Sequence, residues 1–265
     1  SFSPYTDDIL FTSGFTHMKF WKMAQTFTGL KLQGEIAKFG ALEMSNVSGY
    51  HELPDGKVLS GTEQGNLILW EGNLVKAHLV LNQEEKTPLH KGMIEVILFE
   101  DDQFITAAHD GFIKWWSLTD IDDAEADEVL EVAIQPVKSS RIQTEDGDNA
   151  QIMNMTRGDG FWLVQDFKGR LWKLDCESLK ATEILNFHSG RINDMAISDR
   201  GNMCATVGED GNIKFWDYVK GETLAQKQFN GSANCIDLIR RSDLNRGRVA
   251  AVGYASGIVR VVSVN

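Results

Sequence analysis

One short sequence unit recurs along the whole chain, and this recurrence restricts the possible folds more than any other feature. Its clearest copy spans residues 206–217 and reads TVGEDGNIKFWD. Five similar strings occur, four ending near a tryptophan and one with a valine in the tryptophan place. The six marker positions are Trp21, Trp70, Trp116, Trp172, Trp216 and Val261. They are 49, 46, 56, 44 and 45 residues apart, and a period of this length predicts an array of similar supersecondary units.

Each copy has the pattern of a β-hairpin. In 212–217, apolar and polar side chains alternate with the period of two that a strand requires, and a turn with Asp and Gly precedes them. Segment 191–198 upstream alternates in the same way, and 222–229 downstream has the composition of a polar outer strand. The sequence therefore predicts four strands per copy and an all-β fold. Only segment 120–132 is compatible with a short acidic turn or helix.

Two of the copies share a set of four polar and aromatic residues at matching positions. The two sets are His188, Thr206, Asp210, Trp216 and His90, Thr106, Asp110, Trp116. They resemble the structural tetrad of the WD-repeat family, whose units are four-stranded blades of a β-propeller. The resemblance implies that the Asp accepts hydrogen bonds from the His and nearby amides, and that the Thr links the His to the indole N–H. Such a network satisfies polar groups that folding buries.

Other copies depart from the tetrad and are expected to depend more on apolar packing. Trp162 stands where a threonine is expected, Gln64 replaces the Asp, and Val261 replaces the Trp. We interpret residues 1–265 as a single WD40 β-propeller with six visible repeats, part of a seven-bladed ring and a fragment of a longer multi-propeller chain. A blade or closing strand would come from outside this segment, and residues 117–150 would be an acidic inter-blade insertion.

Composition narrows the classes of partner and cofactor. The formal net charge of -12 repels polyanions, so no nucleic-acid partner is expected, and no apolar run is long enough to predict a membrane-spanning helix. Cys176, Cys204 and Cys235 lie far apart with no paired spacing typical of zinc or redox sites. We expect Cys204 and Cys235 to be core residues, and the odd number of cysteines fits a reducing intracellular compartment. No metal and no cofactor is predicted, since the glycines lie at turns and do not form a phosphate-binding loop.

An enzyme is the alternative that the tetrad itself raises. His188, Thr206 and Asp210 supply an imidazole, a hydroxyl and a carboxylate, the groups of a hydrolytic triad. However, the same set recurs in a second copy, which favours a role in the framework of the fold. The prediction is that the chain is not an enzyme and has no catalytic residues.

Two charged segments could contact partners. Segment 120–131 reads DIDDAEADEVLE and would be either a solvated loop or a docking site for a basic partner. Segment 240–248 carries four arginines, which would either only aid solubility or contact carboxylates such as those of tubulin. These possible partner-binding residues are Arg240, Arg241, Arg246 and Arg248.

A more specific resemblance lies in the first repeats. Segments 18–40, 53–61 and 65–72 resemble the family of cilia- and flagella-associated protein 44, large axonemal proteins with N-terminal WD repeats. The resemblance implies a scaffold in the cilium or flagellum that tethers inner-arm dynein motor heads to doublet microtubules, with dynein, tubulin and a companion WD-repeat protein as partners. A generic WD40 adaptor or a tubulin-binding propeller of a cytoplasmic complex is the alternative. The echinoderm microtubule-associated proteins are a more distant resemblance, without their hydrophobic entry motif.

Overall fold

The structure is a computed structural model that describes residues 2–126, 129–144, 147–199, 201–239 and 249–264. Within these ranges, 23 strands form six sheets, and there is one short helix. Neighbouring strands that follow one another in the chain are antiparallel, as in WD40 blades, and the sheets are numbered here as blades 1 to 6. The predicted all-β class with four-stranded WD40-type blades is confirmed.

Blades 1 and 2 come from the first 80 residues. Blade 1 has three strands, β1 (Ile9–Gly14), β2 (His17–Thr26) and β3 (Gly29–Ile36). Blade 2 has β4 (Val47–Glu52), β5 (Val58–Thr62), β6 (Leu67–Glu71) and β7 (Leu74–Val80). The tryptophan of each blade lies on the strand before the outer one, on β2 and β6.

Blade 3 is interrupted before its outer strand. Its first three strands are β8 (Ile94–Glu100), β9 (Gln103–Ala108) and β10 (Phe112–Ser117). Helix α1 (Leu118–Asp122) and strand β11 (Glu131–Ala133) follow, and only then does β12 (Lys138–Arg141) complete the blade against β10.

Blades 4 and 5 each have four strands, and blade 6 has three. Blade 4 contains β13 (Ile152–Arg157), β14 (Phe161–Asp166), β15 (Arg170–Asp175) and β16 (Ala181–Asn186). Blade 5 contains β17 (Ile192–Ile197), β18 (Met203–Gly208), β19 (Asn212–Asp217) and β20 (Glu222–Gln228). Blade 6 contains β21 (Ala233–Leu238), β22 (Val249–Tyr254) and β23 (Val259–Ser263).

The chain divides into two compact units, each with its own core. Unit 1 comprises residues 1–166 and 172–182, and unit 2 comprises 167–171 and 183–265. In unit 1 the core forms three clusters, one between each pair of successive blades. In unit 2 one cluster joins blades 5 and 6, with Phe215, Ile236 and Val252 among its members.

The tryptophan-bearing face of a blade packs against the preceding blade in unit 1. Trp70 of blade 2 lies in a cluster with Phe11 and Met18 of blade 1, and Trp116 of blade 3 lies in a cluster with Leu59 of blade 2. Trp172 repeats the arrangement against blade 3. Because alternate side chains of a strand point to opposite faces, one apolar residue in two along β6 and β10 suffices to build these interfaces.

The expectation that Val261 takes the tryptophan place in blade 6 is wrong by one residue. Cys204 pairs with Trp216 in blade 5, and the corresponding pair in blade 6 joins Ala250 to Val262. Val262 packs against the blade 5–6 core, whereas Val261 is 68 % exposed on the opposite face. A shift of one residue along a strand exchanges its two faces, so the alignment of a degenerate repeat is sensitive to its turn.

The acidic insertion is not the solvated loop that its charge pattern favours. Its helix buries Ile121, and β11 pairs in parallel with β7 as a fifth strand of blade 2. Ala124 and Ile134 are buried in the cluster between blades 2 and 3. The interspersed apolar residues, and not the acidic ones, therefore determine where this segment lies. Residues 127 and 128 are outside the described residues.

Candidate functional site

The tetrad of blade 3 forms one continuous hydrogen-bonded chain. The indole N–H of Trp116 donates to Thr106 Oγ1 at 2.8 Å, and His90 Nε2 lies 2.7 Å from the same hydroxyl. His90 Nδ1 lies 3.1 Å from Asp110 Oδ1. With the hydroxyl donating to Nε2 and Nδ1–H donating to the carboxylate, the imidazole is neutral with its proton on Nδ1, the charge state that burial of His90 favours by lowering its pKa.

The tetrad of blade 5 has the same geometry. Trp216 Nε1 donates to Thr206 Oγ1 at 2.8 Å, His188 Nε2 lies 2.8 Å from that hydroxyl, and His188 Nδ1 lies 3.0 Å from Asp210 Oδ1. The amide of Ser189 also donates to Asp210 Oδ2, at 2.9 Å. The structure thus brings together all four residues of each predicted set.

Hydrogen bonding determines the charge state of the two aspartates. Burial alone would raise the pKa of the Asp110 carboxyl, but bonds from His90 and from the amides of Lys91 and Phe112 hold that pKa below its ordinary value. Burial also raises the pKa of the Asp210 carboxyl, but bonds from His188, Asn212 and the amide of Ser189 outweigh it, so this pKa is also below its ordinary value. Burial lowers the pKa of His90, and its bond to Asp110 only partly offsets this effect.

The two histidine rings are buried and hydrogen-bonded inside their own blades. His90 is 1 % exposed and the side chain of His188 is 1 % exposed, and both ring nitrogens of each are within hydrogen-bond distance of a partner. A general base needs a ring nitrogen that can reach a substrate proton. In this geometry the imidazoles instead hold a turn aspartate and a strand threonine at fixed positions.

Blades 1 and 2, which lack a full tetrad, keep the bond between indole and hydroxyl, whereas the indole of blade 4 bonds to a carboxylate. Trp70 Nε1 donates to Ser60 Oγ at 2.8 Å, and Trp21 Nε1 donates to Thr12 Oγ1 at 2.9 Å. In blade 4, where Trp162 occupies the threonine position, Trp172 Nε1 donates to Asp166 Oδ2 at 3.0 Å. The hydroxyls of blades 1 and 2 were missed from sequence, although their spacing of nine or ten residues before the tryptophan was an available signal.

In blade 2, a different pair replaces His and Asp. Ser45 Oγ donates to Gln64 Oε1 at 2.5 Å, and the amide of Glu63 donates to Ser45 Oγ at 3.3 Å. An uncharged amide thus stands in place of the turn carboxylate, and it accepts a hydrogen bond from a serine hydroxyl. The substitution of Gln64 for Asp does not leave the turn without a side-chain bond.

A cationic residue two positions before the tryptophan place was also missed. Lys114 Nζ donates to the carbonyl of Leu89, and Lys214 Nζ donates to the carbonyl of Asn186 at 3.1 Å and to its side-chain oxygen at 2.6 Å. In blade 6 the guanidinium of Arg260 lies 4.7 Å from the Phe229 ring centroid. Each ammonium binds the chain segment that leads into its own blade, at Leu89 in blade 3 and at Asn186, the last residue of β16, in blade 5. Burial lowers the pKa of Lys114.

The remaining residues that the sequence singles out are the four arginines and the three cysteines. The four arginines of 240–248 lie outside the described residues. Cys204 and Cys176 are partly buried, and burial raises the pKa of the Cys204 thiol. Cys235 is exposed, contrary to the expectation of a core position, because the bulge between Ala233 and Cys235 changes the face on which it lies.

Neither a metal centre nor a membrane span is found in the part of the chain that the structure describes. It contains no group of three or more His, Cys, Asp or Glu side chains arranged to hold a metal ion. None of its helices has the length and apolar character needed to cross a membrane.

Comparison with known sequences agrees with the blades and tetrads. A family model for the WD domain, G-beta repeat, matches residues 179–217, which include strand β16 and the full tetrad of blade 5. Together with six similar sheets, this match defines the class: the chain is a WD-repeat protein.

More extensive similarity is found to a particular family of relatives. The chain is 37 % identical to Cilia- and flagella-associated protein 44 of Mus musculus over 99 % of its length. It is 34 % identical to the protein of that name from Trypanosoma brucei brucei over 84 %, and 32 % identical to that from Chlamydomonas reinhardtii over 98 %. The predicted resemblance to this family is confirmed.

The similarity covers a small part of these relatives. The chain spans 14 % of the mouse and trypanosome proteins and 15 % of the algal protein. Their shared name supports the predicted localisation to the cilium or flagellum. The chain is a WD-repeat segment similar to part of these cilia- and flagella-associated proteins.

Proposed function

We propose that the chain is a non-catalytic protein-interaction scaffold of the axoneme, and that it helps tether inner-arm dynein motor heads to doublet microtubules. The observation that carries the proposal is similarity over nearly the whole chain to cilia- and flagella-associated proteins of a mammal and an alga. The tethering role and the partners dynein, tubulin and a companion WD-repeat protein are the finer part of the proposal.

The physical properties of the blades support a scaffold. The buried tetrads and interblade clusters fix the strands, while the connecting turns present exposed side chains such as Phe15 and Met44 in unit 1. A binding surface on rigid elements loses little conformational entropy when a partner docks. A tether between a motor and its track needs such fixed geometry, because a compliant connection would not hold the motor at a constant position.

Electron cryotomography of axonemes tests the tethering role. Axonemes from cells that lack the full-length protein are compared with axonemes in which it is restored. The proposal requires that the density joining inner-arm dynein heads to the doublet is lost and then regained. Unaltered density at the heads, with loss at another site on the doublet, would contradict the tethering role but not the axonemal location.

Direct binding to tubulin is a second candidate function, favoured by the arginines of 240–248. Reversing the charge of all four should weaken co-sedimentation of the full-length protein with microtubules, since arginine pairs well with the carboxylates that tubulin presents. The matched control reverses four exposed lysines elsewhere in the chain: Lys31, Lys38, Lys91 and Lys220. Equal pelleting of the arginine variant and the wild type would dismiss this candidate.

A further inference from the structure

One buried carboxylate of blade 2 has no partner among the described residues. Glu52, the last residue of β4, is 5 % exposed, and its Oε2 atom makes no hydrogen bond within the described part of the chain. No lysine, arginine or histidine of the described residues forms an ion pair with it. A carboxylate that leaves water without a compensating donor or cation costs free energy, so Glu52 destabilises the fold unless a group outside these residues pairs with it.

The same repeat position is apolar in three other blades. In blade 2, Glu52 pairs with Val58, and Val58 pairs with Trp70. Counting across the sheet from the tryptophan place in the same way gives an apolar residue in blades 3, 5 and 6: Phe99, Ile197 and Leu238. The architecture of a blade therefore does not require a carboxylate here, and packing alone does not account for Glu52.

A small cavity lies beside this carboxylate within unit 1. Its volume is about 150 Å³, which is space for about five water molecules at about 30 Å³ each. The lining residues are mostly aromatic: Phe2, Pro4, Phe11, Tyr50, His51 and Glu52. The hydroxyl of Tyr50 donates to the carbonyl of Phe11 at 2.9 Å, which holds Tyr50 against blade 1. Phe2 is 72 % exposed, so the cavity is open on the side of this residue.

The charge and the lining of the cavity together select a class of ligand. Ca²⁺ and Mg²⁺ take about six to eight oxygen ligands, whereas this cavity offers one carboxylate among aromatic residues. An organic ammonium ion suits it better, because such an ion pairs with a carboxylate and also lies favourably over aromatic rings. His51 does not supply the positive charge itself, since its ring packs against Phe99 and Phe104 and burial lowers its pKa.

We propose that this cavity binds the ammonium group of a lysine side chain of a partner protein, with the Glu52 carboxylate as its counter-charge. Phe2, Phe11 and Tyr50 form the apolar wall around it. The cavity has room for a head group only, and the four-carbon stem of a lysine lets its charge enter while the partner's backbone stays outside, next to the exposed Phe2. The site is built from blades 1 and 2 and the segment before β1, and it does not depend on the proposed tethering role.

Carbodiimide cross-linking identifies the occupant, because this reagent condenses a carboxylate and an amine in direct contact to an amide, with loss of water. Isolated cilia or flagella that contain the full-length protein are treated, and linked peptides are identified by mass spectrometry. We expect Glu52 to be linked to one lysine of another protein. The exposed Glu71 of β6 is the control position and should not be linked to that lysine. Links only to a lysine of the same polypeptide, or no link from Glu52, would overturn the proposal.

A binding measurement with a short synthetic peptide that spans the linked lysine separates recognition from proximity. In fluorescence anisotropy with the full-length protein, replacing that lysine by norleucine should weaken binding at least ~10-fold, because a hydrogen bond to a charged group is lost. Glu52→Gln should weaken binding of the unaltered peptide to a similar extent, whereas Glu71→Gln should not change it. Equal affinity of wild type and Glu52→Gln would contradict the assigned role.

The thermal stability of Glu52→Gln distinguishes a binding residue from a structural one. Because the carboxylate has no partner among the described residues, removing its charge should leave the melting temperature of the free full-length protein unchanged or raise it. A structural role predicts the opposite result, a lower melting temperature with unchanged peptide binding, and that outcome would overturn the proposal.

Discussion

The hydroxyl of Thr106 joins two blade elements through a single oxygen. It accepts the indole N–H of Trp116 and donates to His90 Nε2, and the residue is fully buried. Removing this oxygen leaves two buried polar groups without their partner, in a place where water cannot replace it. The cost of such a change is the desolvation of both groups, which exceeds the net gain from an ordinary hydrogen bond.

Thr106→Val is therefore expected to lower the free energy of unfolding by about 2–4 kcal/mol, as the loss of partners for two buried groups requires. Chemical denaturation followed by tryptophan fluorescence measures the change. The control Thr156→Val makes the same alteration on an exposed strand position and should change stability by less than about 0.5 kcal/mol. Equal effects of the two variants would contradict the role assigned to the blade 3 network.

The neutral imidazole of His90 predicts that stability falls with acid. Its folded-state pKa is lowered from 6.5 by burial, so the unfolded chain binds more protons below that pH. Stability from this group is complete above pH 6.5 and is lost as the pH falls through the folded-state pKa. Thermal unfolding between pH 7 and 5 should show a decreasing melting temperature, with a smaller slope in His90→Asn. His17→Asn, at an exposed position outside the tetrads, is the control.

Further acidification should act through the two turn aspartates. Their folded-state pKa values lie below the ordinary value of 3.8, so their contribution is present above that value and is lost as the pH falls through the lowered pKa. Asp210→Asn should remove part of the decrease in stability below about pH 4, because the amide cannot titrate. A slope as steep as that of the wild type in this range would show that other carboxylates dominate acid unfolding.

Among the elements, the fifth strand of blade 2 carries an ion pair between a buried carboxylate, that of Glu131, and Lys86, whose side chain is 60 % exposed. Glu131 of β11 has a side chain only 7 % exposed, and Lys86 Nζ lies 2.5 Å from its Oε1. The bond to Lys86 lowers the pKa of the Glu131 carboxyl, although burial acts against it. Loss of the lysine would leave a nearly buried carboxylate with only the more distant His78 nearby, at 3.9 Å.

Lys86→Ala should therefore destabilise the protein by about 0.5–1.5 kcal/mol, because the carboxylate is buried but the lysine is exposed and solvent screens the pair. It should also increase proteolytic cleavage between α1 and β11, because the segment detaches more readily. The control is Lys76→Ala, whose partner Glu125 is 3.8 Å away and 79 % exposed, and it should have little effect. If both variants resist protease equally, the ion pair does not hold β11 in place.

At the scale of elements, local sequence patterns predict some strands and leave others without a signal. The strands with alternating side chains and a Gly-containing turn, such as β18 and β19, follow from local patterns. The location of β11 could not be predicted, because its three residues pair with β7, some 50 residues away, and non-local pairing leaves no local signal. Val261 was misplaced for a related reason, since without a tryptophan only the turn at Gly257 marks the register.

For the whole molecule, the assignment of the tetrads to the framework separates two kinds of variant. His188→Asn should lower the melting temperature while leaving the protein in the cilium or flagellum, because the imidazole is enclosed within blade 5. Fluorescence imaging of tagged full-length protein and a thermal shift assay measure the two effects. Loss of this localisation with an unchanged melting temperature would instead place His188 at a partner contact.

The pairing of β11 with β7 also has a consequence for synthesis of the chain. Blade 2 is formed by residues 47–80 together with 131–133. Its last strand, β11, therefore emerges from the ribosome only after most of blade 3. The outer edge of β7 therefore has no β11 to pair with while about fifty more residues are translated, at a rate of about 5–20 residues per second. Blades 2 and 3 consequently mature together during translation, and a pause before residue 131 prolongs the interval in which that edge can pair with a neighbouring nascent chain.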